Sequence, residues 1–201
     1  MPKISACIVA YCDYEEVCAA VRSILQHTPT PDFALYVVDN GSPDGCGQRL
    51  AETDFGDARV TVLPLAQNLG FGKGHNAVIP RLDSAVHFIL NPDILLTEDV
   101  LEPMADWLLA RKGAAMLRYP DGRLQHLPRR KPTPWLLLAR QLAPRFGGCF
   151  AKADDHYTMQ DEDLSAPRRI EFCTGSFMAV RTDVFKEIGG FDPAYFMYVE
   201  D

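Results

Sequence analysis

The sequence predicts an α/β fold, a mostly parallel central sheet with helices on both faces. Three observations carry this. Continuous apolar runs of strand length stand at Ile4–Ala10, Phe33–Val38 and Val86–Leu90, the pattern of strands buried on both faces. Segments with helical spacing separate them, so strands and helices alternate along the chain. Polar and glycine residues gather where the runs end, at Asp39, Asn91 and Asp93. In open α/β sheets that carboxyl edge is where ligands bind.

Each element has a local reason. After the first strand, Glu15–His27 places Val17, Val21, Ile24 and Leu25 on one helical face, with acids at its start and His27 at its end. The second strand, Phe33–Val38, ends in Asp39-Asn40-Gly41-Ser42. Ser42 followed by Pro43 reads as a cap and first helical position, opening a helix to about Thr53. Val60–Leu63 is a third strand. Gly70–His75 is a glycine-rich turn leading into a helix from about His75 to Leu82. The fourth strand, Val86–Leu90, ends at Asn91-Pro92-Asp93. A helix from about Asp99 to Arg111 follows, with Asp99 and Glu102 at capping-box spacing. Ala114–Arg118 is a fifth strand. Pro120–Ala166 breaks the alternation: it is proline-rich and basic, then acidic. Strand-like pattern resumes over Arg169–Arg181, and Thr182 caps a short helix ending at Gly189-Gly190.

Composition narrows the class. The chain has 201 residues, 47% hydrophobic and 23% charged, enough for a sizeable core in a single domain. No apolar run approaches the ~20 residues of a transmembrane helix, and no secretory signal pattern opens the chain. Net charge is −7, which disfavours a nucleic-acid partner. The charge is uneven: Arg123, Arg129, Arg130, Lys131, Arg140, Arg145 and Lys152 stand in a stretch without acids, so +7 there leaves −14 for the rest. That stretch contains Trp135 and the apolar Leu136-Leu137-Leu138, and such a basic amphipathic segment suits an anionic membrane surface. Packing of this insertion against the domain, or over a cleft, is the other reading. The six cysteines have no C-x-x-C spacing and read as reduced thiols of a cytoplasmic protein.

Four constellations are chemically suggestive. Gly70-Phe71-Gly72-Lys73-Gly74-His75-Asn76 fails both the dinucleotide fingerprint and the P-loop pattern. A glycine turn at a helix start still offers N–H groups to a phosphate. Asp93 follows a buried strand, where a carboxylate can hold Mg2+ or Mn2+ if a ligand's phosphates supply further oxygens. Asp39 can accept a hydrogen bond from a base or ribose, or cap its own turn. Glu200-Asp201, after an aromatic run, is either a solvated pair or a general base.

Their order is more specific than any one of them. Tyr11, V-V-D-N-G-S (37–42), N-L-G-F-G-K-G-H-N (68–76), L-N-P-D (90–93), T-G-S-F-M-A-V-R (174–181), G-G-F-D (189–192) and F-M-Y-V-E-D (196–201) form one series. As a set it resembles the inverting family 2 glycosyltransferases of GT-A fold, on the rhamnosyltransferase-like branch. The resemblance implies a single GT-A domain over 1–201, with 120–166 as an insertion. It implies that Asp39 holds the nucleotide base with Tyr11 near it, and that Asn40 belongs to the nucleotide-sugar site. Asn68, Gly70, Phe71, Gly72, His75, Asn76 and Asn91 would line the nucleotide-sugar site, Asp93 would bind the metal, and Gly175-Ser176 would border sugar and acceptor. Asp201, paired with Glu200, would be the catalytic base.

The implied reaction moves a sugar from a dTDP- or UDP-linked donor, dTDP-rhamnose among them, to a saccharide or lipid-linked acceptor in cell-surface polysaccharide synthesis. The implied place is the cytoplasm, peripheral at the inner membrane face. Two departures stand out: Ala10-Tyr11-Cys12 where the family commonly has Thr-Tyr-Asn, and His75-Asn76 where it often has Asn-Asn. The family pattern also continues beyond the acid pair, so the resemblance implies a core lacking the domain's C-terminal part. A nucleotide-sugar-binding module without turnover is the rival reading; a Rossmann-type oxidoreductase fails on the glycine fingerprint.

Overall fold

The computed structural model describes residues 3–110, 128–131, 133–136, 138–139, 148–163, 172–173 and 175–196. Two compact units make up the chain: residues 1–112 with 175–201, and residues 113–174.

The first unit is built on a five-stranded sheet in the order β3-β2-β1-β4-β7. The strands β1 (Ile4–Ala10), β2 (Phe33–Asp39), β3 (Val60–Pro64) and β4 (Val86–Leu90) are mutually parallel, and β7 (Phe177–Arg181) returns antiparallel along β4. β1 lies at the centre and is buried along its whole length, which is why it reads as an unbroken apolar run. In register, Ala10 stands beside Asp39, and Leu90 beside Phe177. The carboxyl ends of β1, β2 and β4 therefore share one edge. On one face Cys7, Val9, Tyr36, Val38 and Ile89 pack with Val78, Leu82, Phe185 and Phe191.

The helices follow the pattern with three corrections. α1 (Tyr14–His27) buries Val17, Val21 and Ile24 as expected, while Leu25 is half-buried. α2 spans Cys46–Glu52, starting later than Ser42-Pro43 suggests. The Ser42 hydroxyl donates to Asp39 Oδ1 at 2.5 Å, and Asp44 Oδ1 accepts the Cys46 N–H at 3.0 Å in its place. α3 spans Phe71–Asn76, through the glycines rather than after them. A β-carbon on Gly74 would lie 2.8 Å from Val9 Cγ1, so close helix–strand packing is what the glycine permits. Pro80 then stops the α-helix and leaves a 3-10 turn at Ile79–Arg81. α4 spans Leu101–Ala110, and Asp99, just ahead of it, accepts the Glu102 N–H with Oδ1 at 3.3 Å. Thr182 is the first residue of the helix Thr182–Glu187 rather than its cap; its hydroxyl faces Ser84 Oγ at 3.1 Å. The expected strand Ala114–Arg118 lies outside the described residues.

The second unit holds a two-residue ribbon, β5 (Pro128–Arg129) paired with β6 (Phe172–Cys173), and the helix Cys149–Tyr157. Arg130 bridges it internally, reaching Asp161 at 2.7 Å and Glu162 at 2.6 Å. One of the seven basic residues is thus neutralised within its own unit. Among the described residues no helix is long and apolar enough to cross a membrane.

Candidate functional site

The edge where β1, β2 and β4 end gathers most of the residues singled out in the sequence. Tyr11 follows β1 and is exposed. Cys12 turns the chain with φ +64, a left-handed conformation uncommon for a residue with a side chain. Its N–H donates to Ser42 Oγ at 3.0 Å. Ser42 in turn donates from its hydroxyl to Asp39, and its backbone N–H reaches Asp39 Oδ2 at 3.3 Å. Asp39 is buried at 4% exposure, so these bonds offset part of the desolvation of its charge. A carboxylate accepts about four hydrogen bonds, which leaves capacity for a ligand. The same carboxylate, after burial, helps push the neighbouring Cys46 thiol up.

The glycine-rich turn is stitched to the β2 end. Asn40 Nδ2 donates to Asn68 Oδ1 at 3.0 Å and to the Gly70 carbonyl at 3.2 Å. Asn40 Oδ1 accepts the Leu69 N–H at 2.9 Å, and Asn68 Oδ1 accepts the Gly70 N–H at 2.9 Å. The two asparagines hold the loops together. The Phe71 N–H donates to the Phe196 carbonyl at 3.1 Å. The N–H groups of residues 69, 70 and 71 thus all have protein partners. Asn76 is likewise engaged: its Nδ2 donates to the Phe191 carbonyl at 2.8 Å and its Oδ1 accepts the Phe191 N–H at 2.9 Å.

His75 and Gly72 lie inside. His75 is fully buried, 4.5 Å from the Phe71 ring by centroid, and neither ring nitrogen has a hydrogen-bond partner. Burial, reinforced by His87, pulls its pKa down to about 3. The ring packs against Phe71 and Phe191 and presents no surface to solvent. The sequence signal was the motif position; the aromatic cage that encloses it comes from residues as distant as Phe191.

At the β4 end the Asn91 N–H donates to the Ser176 carbonyl at 3.0 Å, which sets Gly175-Ser176 beside Asn91-Pro92-Asp93. Asp93 is exposed and accepts no hydrogen bond among the described residues, so its oxygens face solvent. Such a hard donor fits a divalent cation that also takes phosphate oxygens. No cluster of three or more His, Cys, Asp or Glu that could hold a metal ion occurs among the described residues. Glu200 and Asp201 lie outside the described residues. Sequence reasoning missed two contributors, Ser42, taken as a cap, and Phe196, seen only as part of an aromatic run.

N-acetylglucosaminyl-diphospho-decaprenol L-rhamnosyltransferase of Mycobacterium tuberculosis is 28% identical over 185 residues, covering 84% of this chain and 58% of that protein. Rhamnosyltransferase WbbL of Escherichia coli K12 is 27% identical over 143 residues, covering 66% and 51%. The chain thus spans little more than half the length of these curated relatives. S. aureus TarS in complex with UDP shares the fold at TM-score 0.63 and 16% identity, over 98% of this chain and 52% of that one. The mannosyltransferase PcManGT of Pyrobaculum calidifontis, in complex with GDP-Man and Mn2+, does so at 0.58 and 17%, over 96% and 48%. The sheet is therefore that of the GT-A glycosyltransferases. Residues 5–189 match the model of Glycosyl transferase family 2, and with the rhamnosyltransferase relatives this establishes that the chain belongs to that family.

Proposed function

We propose that this chain is the donor-binding and catalytic core of an inverting glycosyltransferase that uses a dTDP- or UDP-linked sugar. The observation that carries this is the shared edge: a buried Asp39 and an exposed Asp93 at the ends of strands flanking β1, in a family 2 chain. Asp39 accepts an N–H of the base with Tyr11 beside it. Asp93 would hold Mg2+ or Mn2+, which supplies charge neutralisation of the diphosphate. Gly175-Ser176 border the sugar and acceptor.

The base is Asp201, paired with Glu200. It takes the proton from the acceptor hydroxyl as that oxygen bonds to the anomeric carbon. The bond from that carbon to the diphosphate oxygen breaks, and the nucleoside diphosphate leaves with the electron pair. Attack from the opposite side inverts the configuration. Rigid strand ends hold donor and acceptor in line.

The acceptor is a saccharide or a lipid-linked sugar, as in the mycobacterial relative's name, and the pathway class is cell-surface polysaccharide synthesis. The basic 123–152 segment gives peripheral contact with an anionic inner leaflet. Co-sedimentation with phosphatidylglycerol vesicles, weakened by salt, is the expected result; equal binding to neutral vesicles would count against it.

The decisive experiment measures UDP and dTDP binding by calorimetry with and without Mn2+, beside release of nucleoside diphosphate from dTDP-rhamnose and UDP-sugars. Asp93→Ala should remove the Mn2+ dependence, and Asp201→Asn should abolish turnover while leaving nucleotide binding. Binding without turnover in the wild type would favour a binding module. Near wild-type turnover in Asp201→Asn would refute the base assignment.

A further inference from the structure

The segment after Gly190 lies along α3, held at both ends of that helix. At the C-terminal end, Asn76 clamps both backbone groups of Phe191. A β-carbon on Gly190 would run into Asn76 Oδ1, so the segment can come this close only as glycine. The Phe191 side chain, 6% exposed, anchors the same point from inside, at 5.7 Å from Phe71 and 5.8 Å from Phe185 by ring centroids. Asp192 then turns the chain, accepting the Ala194 N–H at 2.9 Å. At the N-terminal end, the Phe196 carbonyl accepts the Phe71 N–H at 3.1 Å.

Gly70 is the second place where a side chain cannot fit. Its β-carbon would sit on the Phe196 carbonyl oxygen, and its φ of +87 with ψ of 171 belongs to a region essentially reserved for glycine. α3 is six residues long, about 9 Å at 1.5 Å per residue. Residues 190–196 cover that distance between two fixed points. Asp201 follows Phe196 by five residues in the sequence.

We propose that residues 190–196 are a strap docked along α3, and that Gly70 and Asn76 are positioning residues for the acid pair rather than contacts of the donor. This rests on Asp201 being the base, as argued above. It explains why the Phe71 N–H, at the start of α3, has a protein partner: that is where the strap's end docks. It also gives the motif series a physical link, because G-F-G-K-G-H-N and G-G-F-D are the two halves of one joint.

The test uses Gly70→Ala and Asn76→Ala in the full 201-residue chain. Three quantities are read: hydrogen exchange across 191–201, dissociation constants of UDP and dTDP with Mn2+, and nucleoside diphosphate release from dTDP-rhamnose. Exchange over 191–201 should rise about tenfold in both variants, with β1 and β4 unchanged. Nucleotide affinity should stay within about threefold, and turnover should fall about tenfold or more, a loss in kcat and not in donor binding. Should Gly70→Ala fail to fold, Asn76→Ala decides alone, since it leaves the glycine turn intact. Unchanged exchange in the folded variants overturns the strap. So does a roughly tenfold loss of nucleotide affinity with unchanged exchange, which would return the turn to the donor. If the wild type neither binds nucleotide nor turns over, the proposed function fails, while exchange still decides the strap.

Discussion

Ser42 links the ends of two neighbouring strands through one oxygen. It accepts from the Cys12 N–H after β1 and donates to the buried Asp39 at the end of β2. Removing it leaves a buried carboxylate and a strained loop short of a partner, at a cost of about 1–3 kcal/mol. Ser42→Ala should lower the unfolding free energy by that amount in urea denaturation and weaken UDP or dTDP binding. An unchanged midpoint would mean that water replaces the hydroxyl freely. The two buried histidines make a second residue-scale prediction. Burial holds both His75 and His87 at about 3, against an ordinary value of 6.5. Below pH 6.5 the unfolded chain takes up protons that the fold refuses. Stability is therefore full above that pH and falls toward pH 3, by about 1.4 kcal/mol per pH unit for each histidine. His75→Leu removes a ring without hydrogen-bond partners and should flatten the slope between pH 6.5 and 5 in urea titrations. An unaltered slope would show that His75 is not the group responsible.

At the scale of elements, strands were the most legible part. β1 and β4 have the limits that the apolar runs suggest, because burial on both faces leaves an unambiguous signal. Helix starts were less legible. Ser42 carries the residue type of a cap, but Asp39 lies within reach and a buried charge competes better for its hydroxyl. α3 was displaced because glycine lowers helix propensity, a local cost of about 1 kcal/mol each. Tertiary contact overrides it, since only a residue without a side chain lets α3 meet Val9. Gly74→Ala should destabilise the fold by about 1–3 kcal/mol through overpacking. Combining it with Val9→Ala should restore part of the loss in a double-mutant cycle. Additive losses would mean that the two side chains do not meet.

For the whole molecule, charge is the deciding quantity. A −7 chain whose body carries −14 repels a nucleoside diphosphate at long range. In the proposed mechanism, affinity would then depend on a cation at Asp93 rather than on a basic surface. UDP or dTDP should bind about tenfold or more tightly with Mn2+ than without it, a coupling that chelation removes. Tight binding in EDTA would show that basic groups do the work instead. The division into two compact units matters here too, because Arg130 is already paired within 113–174. Its charge therefore contributes less to any anionic surface than the count of basic residues implies.

The sequence by itself determined the α/β class, the first four strands along the chain, the family and the edge at which Asp39, Asn91 and Asp93 collect. These depend on periodicity and on residue types at strand ends, which are local and survive without knowledge of the fold. Only the tertiary structure decided what the motif residues do. Asn40 bonds to backbone 29 and 30 positions away and Asn76 to backbone 115 positions away, and His75 packs against Phe71 of its own helix and against the distant Phe191. Whether a polar group faces a ligand or a neighbouring loop depends on which loops pack side by side, and no local pattern encodes that.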